Sequence, residues 1–223
     1  MKPVIVGLCI VLAVASCGAG PKQPKPKSDL DGVRGFLKSA FSSSKTIEGG
    51  GLCGDPMLVG DVVGSVPGRI SGCGIENAVR LRAIGDVTLS QPATIDCNTA
   101  KALKTWVEDA AMPATKRLGD ISGLRVAAHY ACRTRNNRPG AKISEHGRGK
   151  AIDIAAVQFT DGTELSVLRD WGTGKRGKAL REMHGEACGT FGTVLGPGSD
   201  GYHKDHFHFD TARHGNGAYC RPR

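Results

Sequence analysis

Six cysteines scattered along one chain constrain its fold more than any other feature of the sequence. Of eight cysteines in 223 residues, Cys9 lies inside an apolar N-terminal run and Cys17 directly behind it. This leaves Cys53, Cys73, Cys97, Cys132, Cys188 and Cys220. The run, Val4 to Ala15 after Met1-Lys2, has the length of a signal-peptide core and falls short of the roughly 20 apolar residues that span a bilayer. An exported chain meets an oxidising compartment, where an even set of cysteines without CxxC spacing forms structural bridges in preference to metal or nucleophile sites. Three disulfides are expected, with their pairing open.

The apolar run closes on Val14-Ala15-Ser16-Cys17, which resembles a bacterial lipobox. The resemblance implies a lipoprotein signal peptide over residues 1–16 and lipid on Cys17. The chain is then an exported lipoprotein at the periplasmic face of a membrane, expected to be the outer one. Each buried CH₂ contributes about 0.8 kcal/mol, so several acyl chains anchor firmly. A plain signal peptide cut near Ala19 is the simpler alternative. Gly18 to Lys27 is basic and rich in proline, and residues 28–50 mix Ser, Lys and Gly around one expected short helix, Leu30 to Phe41. Residues 17–50 read as a lipidated cysteine on a flexible basic tether, and 51–223 as one folded domain.

Hydrophobic residues at 39% and charged residues at 23% are the proportions of a folded chain, which excludes wholesale disorder and a polytopic membrane protein. With 32 glycines and only 5% aromatics, a loop-rich domain is expected and a long-helix bundle is not. Pro92 to Asn98 reads as a turn and a helix cap. Ala102, Leu103, Trp106, Val107, Ala110 and Ala111 then recur at helical spacing until Pro113. Strands are expected over Gly123–Tyr130, Ala151–Phe159 and His206–Asp210, and a further helix over Lys178–His184. Without a regular βαβ beat, the fold class is α+β: a single domain with a small, mainly antiparallel sheet flanked by helices and stapled by disulfides.

The chemistry concentrates in two segments. In Ser144-Glu145-His146-Gly147-Arg148-Gly149-Lys150-Ala151-Ile152-Asp153-Ile154, two glycines allow a loop that returns the His146 imidazole to the carboxylate of Asp153. An apolar strand does not carry an unpartnered aspartate, so Asp153 calls for a partner or a metal. In His203-Lys204-Asp205-His206-Phe207-His208-Phe209-Asp210, alternation puts His206 and His208 on one face and Phe207 and Phe209 on the core face. Nitrogen and oxygen donors of this kind suit zinc. His203 reads as a rim residue, and His129, His184 and His214 as structural or surface groups.

Ser144-x-His146-x-x-Gly149-x-Ala151-x-Asp153 resembles the SxHxxGxAxD signature of the zinc peptidases that include D-alanyl-D-alanine carboxypeptidases, dipeptidases and murein endopeptidases. His206-x-His208 is similar to their closing HxH element. More widely, residues 52 to 221 resemble the bacterial extensin-like C-terminal domain family, through Tyr130-Ala131-Cys132-Arg133, Thr193 to Gly198 and Asp205-His206-Phe207-His208. The peptidase resemblance implies zinc on His146, Asp153 and His208, with the fourth position left to water, whose pKa zinc lowers to about 7. It further implies Asp205 as general base, placed like the glutamate of an ExxH pattern but one methylene shorter. His206 is then the oxyanion stabiliser, or the rival base. Arg133 is implied as a catalytic and substrate-binding guanidinium, and Ser144 as a substrate contact or loop cap.

A net charge of +9 favours an anionic partner, and the sequence shows no motif that reads grooves or stacks bases, so nucleic acid is not expected. Compartment and site together point to zinc-dependent hydrolysis of a peptide bond in peptidoglycan, as endopeptidase or carboxypeptidase. The alternatives are a non-catalytic wall-binding lipoprotein whose metal is structural, closed by His206 or His203 as a fourth ligand, and a scaffold lipoprotein without metal.

Overall fold

A computed structural model describes residues 50–172 and 174–222. The expected signal peptide, Cys17, the Leu30–Phe41 helix and the tether before Gly50 lie outside the described residues. The chain runs β1 (Leu58–Pro67), β2 (Gly74–Ile84), β3 (Val87–Asp96), α1 (Cys97–Trp106), β4 (Ile121–Ala128), β5 (Ala151–Phe159), β6 (Glu164–Ser166), α2 (Val167–Asp170), α3 (Gly174–Glu186), β7 (Thr193–Leu195), β8 (Phe207–Asp210) and β9 (Tyr219–Cys220). The strands form one nine-stranded sheet in the order β1-β2-β3-β4-β5-β8-β7-β9, with β6 beside β5. Among the described strands, β3–β4 and β7–β9 pair in parallel and the other pairs are antiparallel. The α+β class is as expected, but the sheet is larger than the sequence reading allowed, because β1 to β3 form an unforeseen meander.

The first helical segment runs further than its periodicity predicts. Asp96 caps α1 by accepting the Thr99 N–H at 2.7 Å. Pro113 does not end the helical path. A π turn, Val107–Ala111, follows α1 and leads into a last α turn, Met112–Thr115, in whose first positions the proline sits. Pro92 falls inside β3, where the β2–β3 register is interrupted between Leu81 and Ala83, so it forfeits no ladder donor.

β5 is buried along nearly its whole length, with β4 on one side and β8 and β6 sharing the other. Its Ile152 and Ile154 lie opposite Phe209 and Phe207 in the register. Phe209 packs on Trp106 at 5.0 Å between ring centroids and stacks on Phe191 at 4.8 Å. The Trp106 Nε1–H donates to Met183 O at 2.9 Å and ties α1 to α3. With these residues facing the core, strand alternation turns Asp153 and His208 to the opposite face. β8 begins at Phe207, so His206 just precedes the expected strand.

β4 ends at Ala128, short of Tyr130. Beyond it the Tyr130 N–H bonds Thr94 O, and the Ala131 N–H bonds His146 O, so the diverging chain supports the loop that carries His146. The disulfides are Cys53–Cys97, Cys73–Cys132 and Cys188–Cys220, closing separations of 44, 59 and 32 residues. Loops of this size correspond to stabilisation on the order of 4 kcal/mol per bridge through the unfolded chain. Among the described residues no helix is long and apolar enough to cross a membrane.

Candidate metal centre

His146 stands in a short 3₁₀ turn, Glu145–Arg148, that ends in Gly149 with φ of 68°, in the left-handed region. A β-carbon at Gly149 would collide with the Ile75 side chain, so only glycine closes this turn into β5. The turn brings the buried His146 over the buried Asp153 of β5, and the β5–β8 register sets His208 directly opposite Asp153. His146 Nε2 lies 3.2 Å from Asp153 Oδ2 and 3.2 Å from His208 Nδ1, and His208 Nδ1 lies 2.9 Å from Asp153 Oδ1. One ligand atom from each of the three falls within 4.8 Å of the others.

The far sides of the two rings determine what this cluster can accept. His146 Nδ1 is 2.8 Å from the carbonyl of His129, and His208 Nε2 is 3.1 Å from Asp210 Oδ2. Both partners only accept, so these nitrogens carry the protons. When both rings are neutral, their inner nitrogens aim two lone pairs at each other and at a carboxylate. Three acceptors facing one another can share a cation or a proton at their centre, and two nitrogens with one oxygen form a donor set that fits zinc. Without metal a proton fills the role. Burial opposes charge on His208, but the bonds to Asp153 and Asp210 outweigh it and raise its pKa to about 9. Burial likewise opposes ionised Asp153, but the His146 and His208 imidazoles beside it hold it below the usual carboxylate range.

The cluster lines a groove of about 420 Å³ whose walls include Arg133, Ser144, His203 and His206. His206 Nε2 is 3.6 Å from Asp153 Oδ2, and its Nδ1 is 2.8 Å from Asp205 Oδ1. The Asp205 side chain is 62% exposed and turned onto His206, and it is not among the groove's lining residues. His203 repeats this arrangement with Asp200 at 2.7 Å. Arg133 Nη1 donates to Thr134 O at 3.4 Å. Ser144 is buried at the start of the 3₁₀ turn but makes no side-chain cap. His214, expected to be structural or at the surface, reaches the groove and pairs with Thr193 Oγ1 at 2.9 Å. His184 is a buried structural group whose desolvation lowers its pKa to about 4. Asp210 and the His129 carbonyl had no assigned role in the sequence reading. The signal for Asp210 was its place two residues after His208 on one strand.

An α+β domain with a His/Asp/His cluster on the open face of its sheet is the class that fold and site define. The pattern of the family described as Extensin-like protein C-terminus matches residues 61–221, and the chain belongs to that family. No curated protein and no solved structure matches it.

Proposed function

We propose that the protein is an exported, zinc-dependent hydrolase that cleaves a peptide bond in peptidoglycan, as endopeptidase or carboxypeptidase. The observation that carries this reading is the convergence of His146 Nε2, His208 Nδ1 and Asp153 at the floor of an open groove, with both outer ring nitrogens already committed. Held by these three side chains, zinc supplies Lewis-acid polarisation of a scissile carbonyl and acidifies water. Arg133 holds the carbonyl oxygen or a peptide carboxylate by charge-assisted hydrogen bonds. His206, its Nδ1 fixed by Asp205, takes a proton at Nε2 from the attacking water and returns it to the leaving amine. The exposed Asp205 carboxylate acts through His206 in this reading, instead of serving as base itself. Ser144 contributes a hydroxyl at the groove wall.

The net charge of +9 and Arg133 and Arg135 in the groove favour anionic wall peptides as substrate. A lipid on Cys17 would hold the domain beside the wall, with residues 18–50 as the tether. The second reading, a non-catalytic wall-binding lipoprotein with a structural metal, draws on His206 Nε2 at 3.6 Å from Asp153 Oδ2, close enough to become a fourth ligand. The test is zinc content of the purified protein, followed by digestion of purified sacculi with wild type and His208→Ala. Released muropeptides that disappear in the variant support the hydrolase. Stoichiometric zinc with no release from a broad panel supports the binding protein, and absence of zinc leaves the metal-free scaffold.

A further inference from the structure

We infer that Asp210 is the positioning residue of the centre, fixing the tautomer and rotation of His208 so that its Nδ1 lone pair meets the cation; the inference rests on the metal reading of the site. Asp210 is buried, with 4% of its surface exposed, and no described lysine or arginine pairs with it. In the sheet register Asp210 lies between Ala151 of β5 and Thr193 of β7, while His208 lies between Asp153 and Leu195. Residues two apart on a strand share a face and stand roughly 7 Å apart. The same alternation that sends Phe207 and Phe209 into the core therefore lines up Asp153, His208 and Asp210 on the other side.

The bonds complete the assignment. Asp210 Oδ2 accepts the His208 Nε2–H at 3.1 Å, while Oδ1 accepts the Ala212 N–H at 3.0 Å. One oxygen is thus held by backbone and the other aimed at the ring, so the carboxylate cannot turn away without losing a buried bond. An acceptor at Nε2 excludes the neutral tautomer with hydrogen on Nδ1, the one that would turn an N–H toward the metal position. The carboxylate's charge also strengthens Nδ1 as a donor to a cation. Outer carboxylates of this kind change metal affinity by about 10–100-fold when removed.

The experiment compares wild type, Asp210→Asn and Asp210→Glu by competition for zinc against a chelating dye, with thermal melting to confirm folding and proton NMR of the His208 Nε2–H. We expect Asp210→Asn to fold, to bind zinc about 10–100-fold more weakly, and to lose the downfield, slowly exchanging Nε2–H signal. Asp210→Glu should recover part of both. Wild-type zinc affinity in a folded Asp210→Asn overturns the inference. If wild type itself binds no zinc, the metal reading fails. The NMR signal then decides the role of Asp210 by itself: a Nε2–H resonance unchanged in Asp210→Asn overturns it.

Discussion

The groove is lined by histidines paired with aspartates in two ways, one built on the sheet and one on the loop before β8. On the sheet, His208 sits between Asp153 at 2.9 Å and Asp210 at 3.1 Å, with the Asp153 side chain 7% exposed. On the loop, His203 pairs with Asp200 at 2.7 Å and His206 with Asp205 at 2.8 Å, where Asp205 is 62% exposed. Bond lengths are alike, so the difference lies in solvent and backbone. Buried carboxylates must keep their partners, because an uncompensated charge there costs several kcal/mol, whereas exposed pairs contribute about 0–1 kcal/mol. The sheet pairs are therefore fixed donors suited to an ion. The loop rings of His203 and His206 line the groove wall, where a substrate would meet them.

The most severe break of that comparison is Asp153→Asn. On the proposed reading it removes one zinc ligand along with the main counter-charge of His208, so zinc retention and sacculus digestion should both vanish. The metal-free fold should lose about 3 kcal/mol, the low end for a broken buried pair because Asp210 remains. Dialysis against zinc followed by metal analysis, and denaturant unfolding, check the two parts. Next comes His206→Ala, expected to lower turnover about 10²–10⁴-fold, the usual contribution of a general base, with zinc content unchanged. Loss of zinc in His206→Ala would make His206 a ligand and erase the distinction between sheet and loop.

The third effect is on pH. In the metal-free protein the His208 pKa rises from 6.5 to about 9, so the bound proton stabilises the fold fully below pH 6.5. That stability is lost as pH climbs through 9, a change on the order of 3 kcal/mol. His184 has the opposite sign: its pKa falls from 6.5 to about 4, so its contribution is lost as pH drops from 6.5 toward 4. The metal-free protein should melt highest near pH 6.5. Added zinc takes the place of the His208 proton and should abolish the decline on the alkaline side. A melting temperature that is flat from pH 6.5 to 9 without zinc would show that His208 gains no such stabilisation.

Asp153 was legible from the residues, because an aspartate inside Ala151-Ile152-Asp153-Ile154 has no place in an apolar strand without a partner, and the glycines before it let His146 turn back to it; that His208 completes the set was implied by the peptidase resemblance. The three disulfides were legible in number but not in pairing, which depends on where the strands lie. The meander β1 to β3 was missed. β3 buries Val87, Leu89, Ala93 and Ile95, but exposed Gln91 breaks the alternation and Pro92 reads locally as a turn, and only the register gap between Leu81 and Ala83 shows how a strand accommodates it. β1 exposes Val59 and Val62 and carries repeated register shifts, which blurs its period. Asp210 needed the β8 register, and the orientation of Asp205 needed a loop conformation that adjacency in sequence cannot specify.

The smallest expected effect comes from Asp205→Asn, and it tests the loop side of the comparison directly. With Asp205 exposed, its loss should leave folding within about 0.5 kcal/mol of wild type and zinc content unchanged. The imidazole of His206 keeps its position near Asp153 but loses the anion that orients Nδ1–H and stabilises the ring when it takes a proton. Turnover should then fall about tenfold, well short of the loss in His206→Ala, with KM little changed because no substrate contact is removed. If Asp205 works only through that ring, as proposed, a double variant should lose no more than His206→Ala alone. A fall in Asp205→Asn as large as in His206→Ala, with further loss on combining them, would return the base role to the carboxylate and make His206 the stabiliser of the oxyanion.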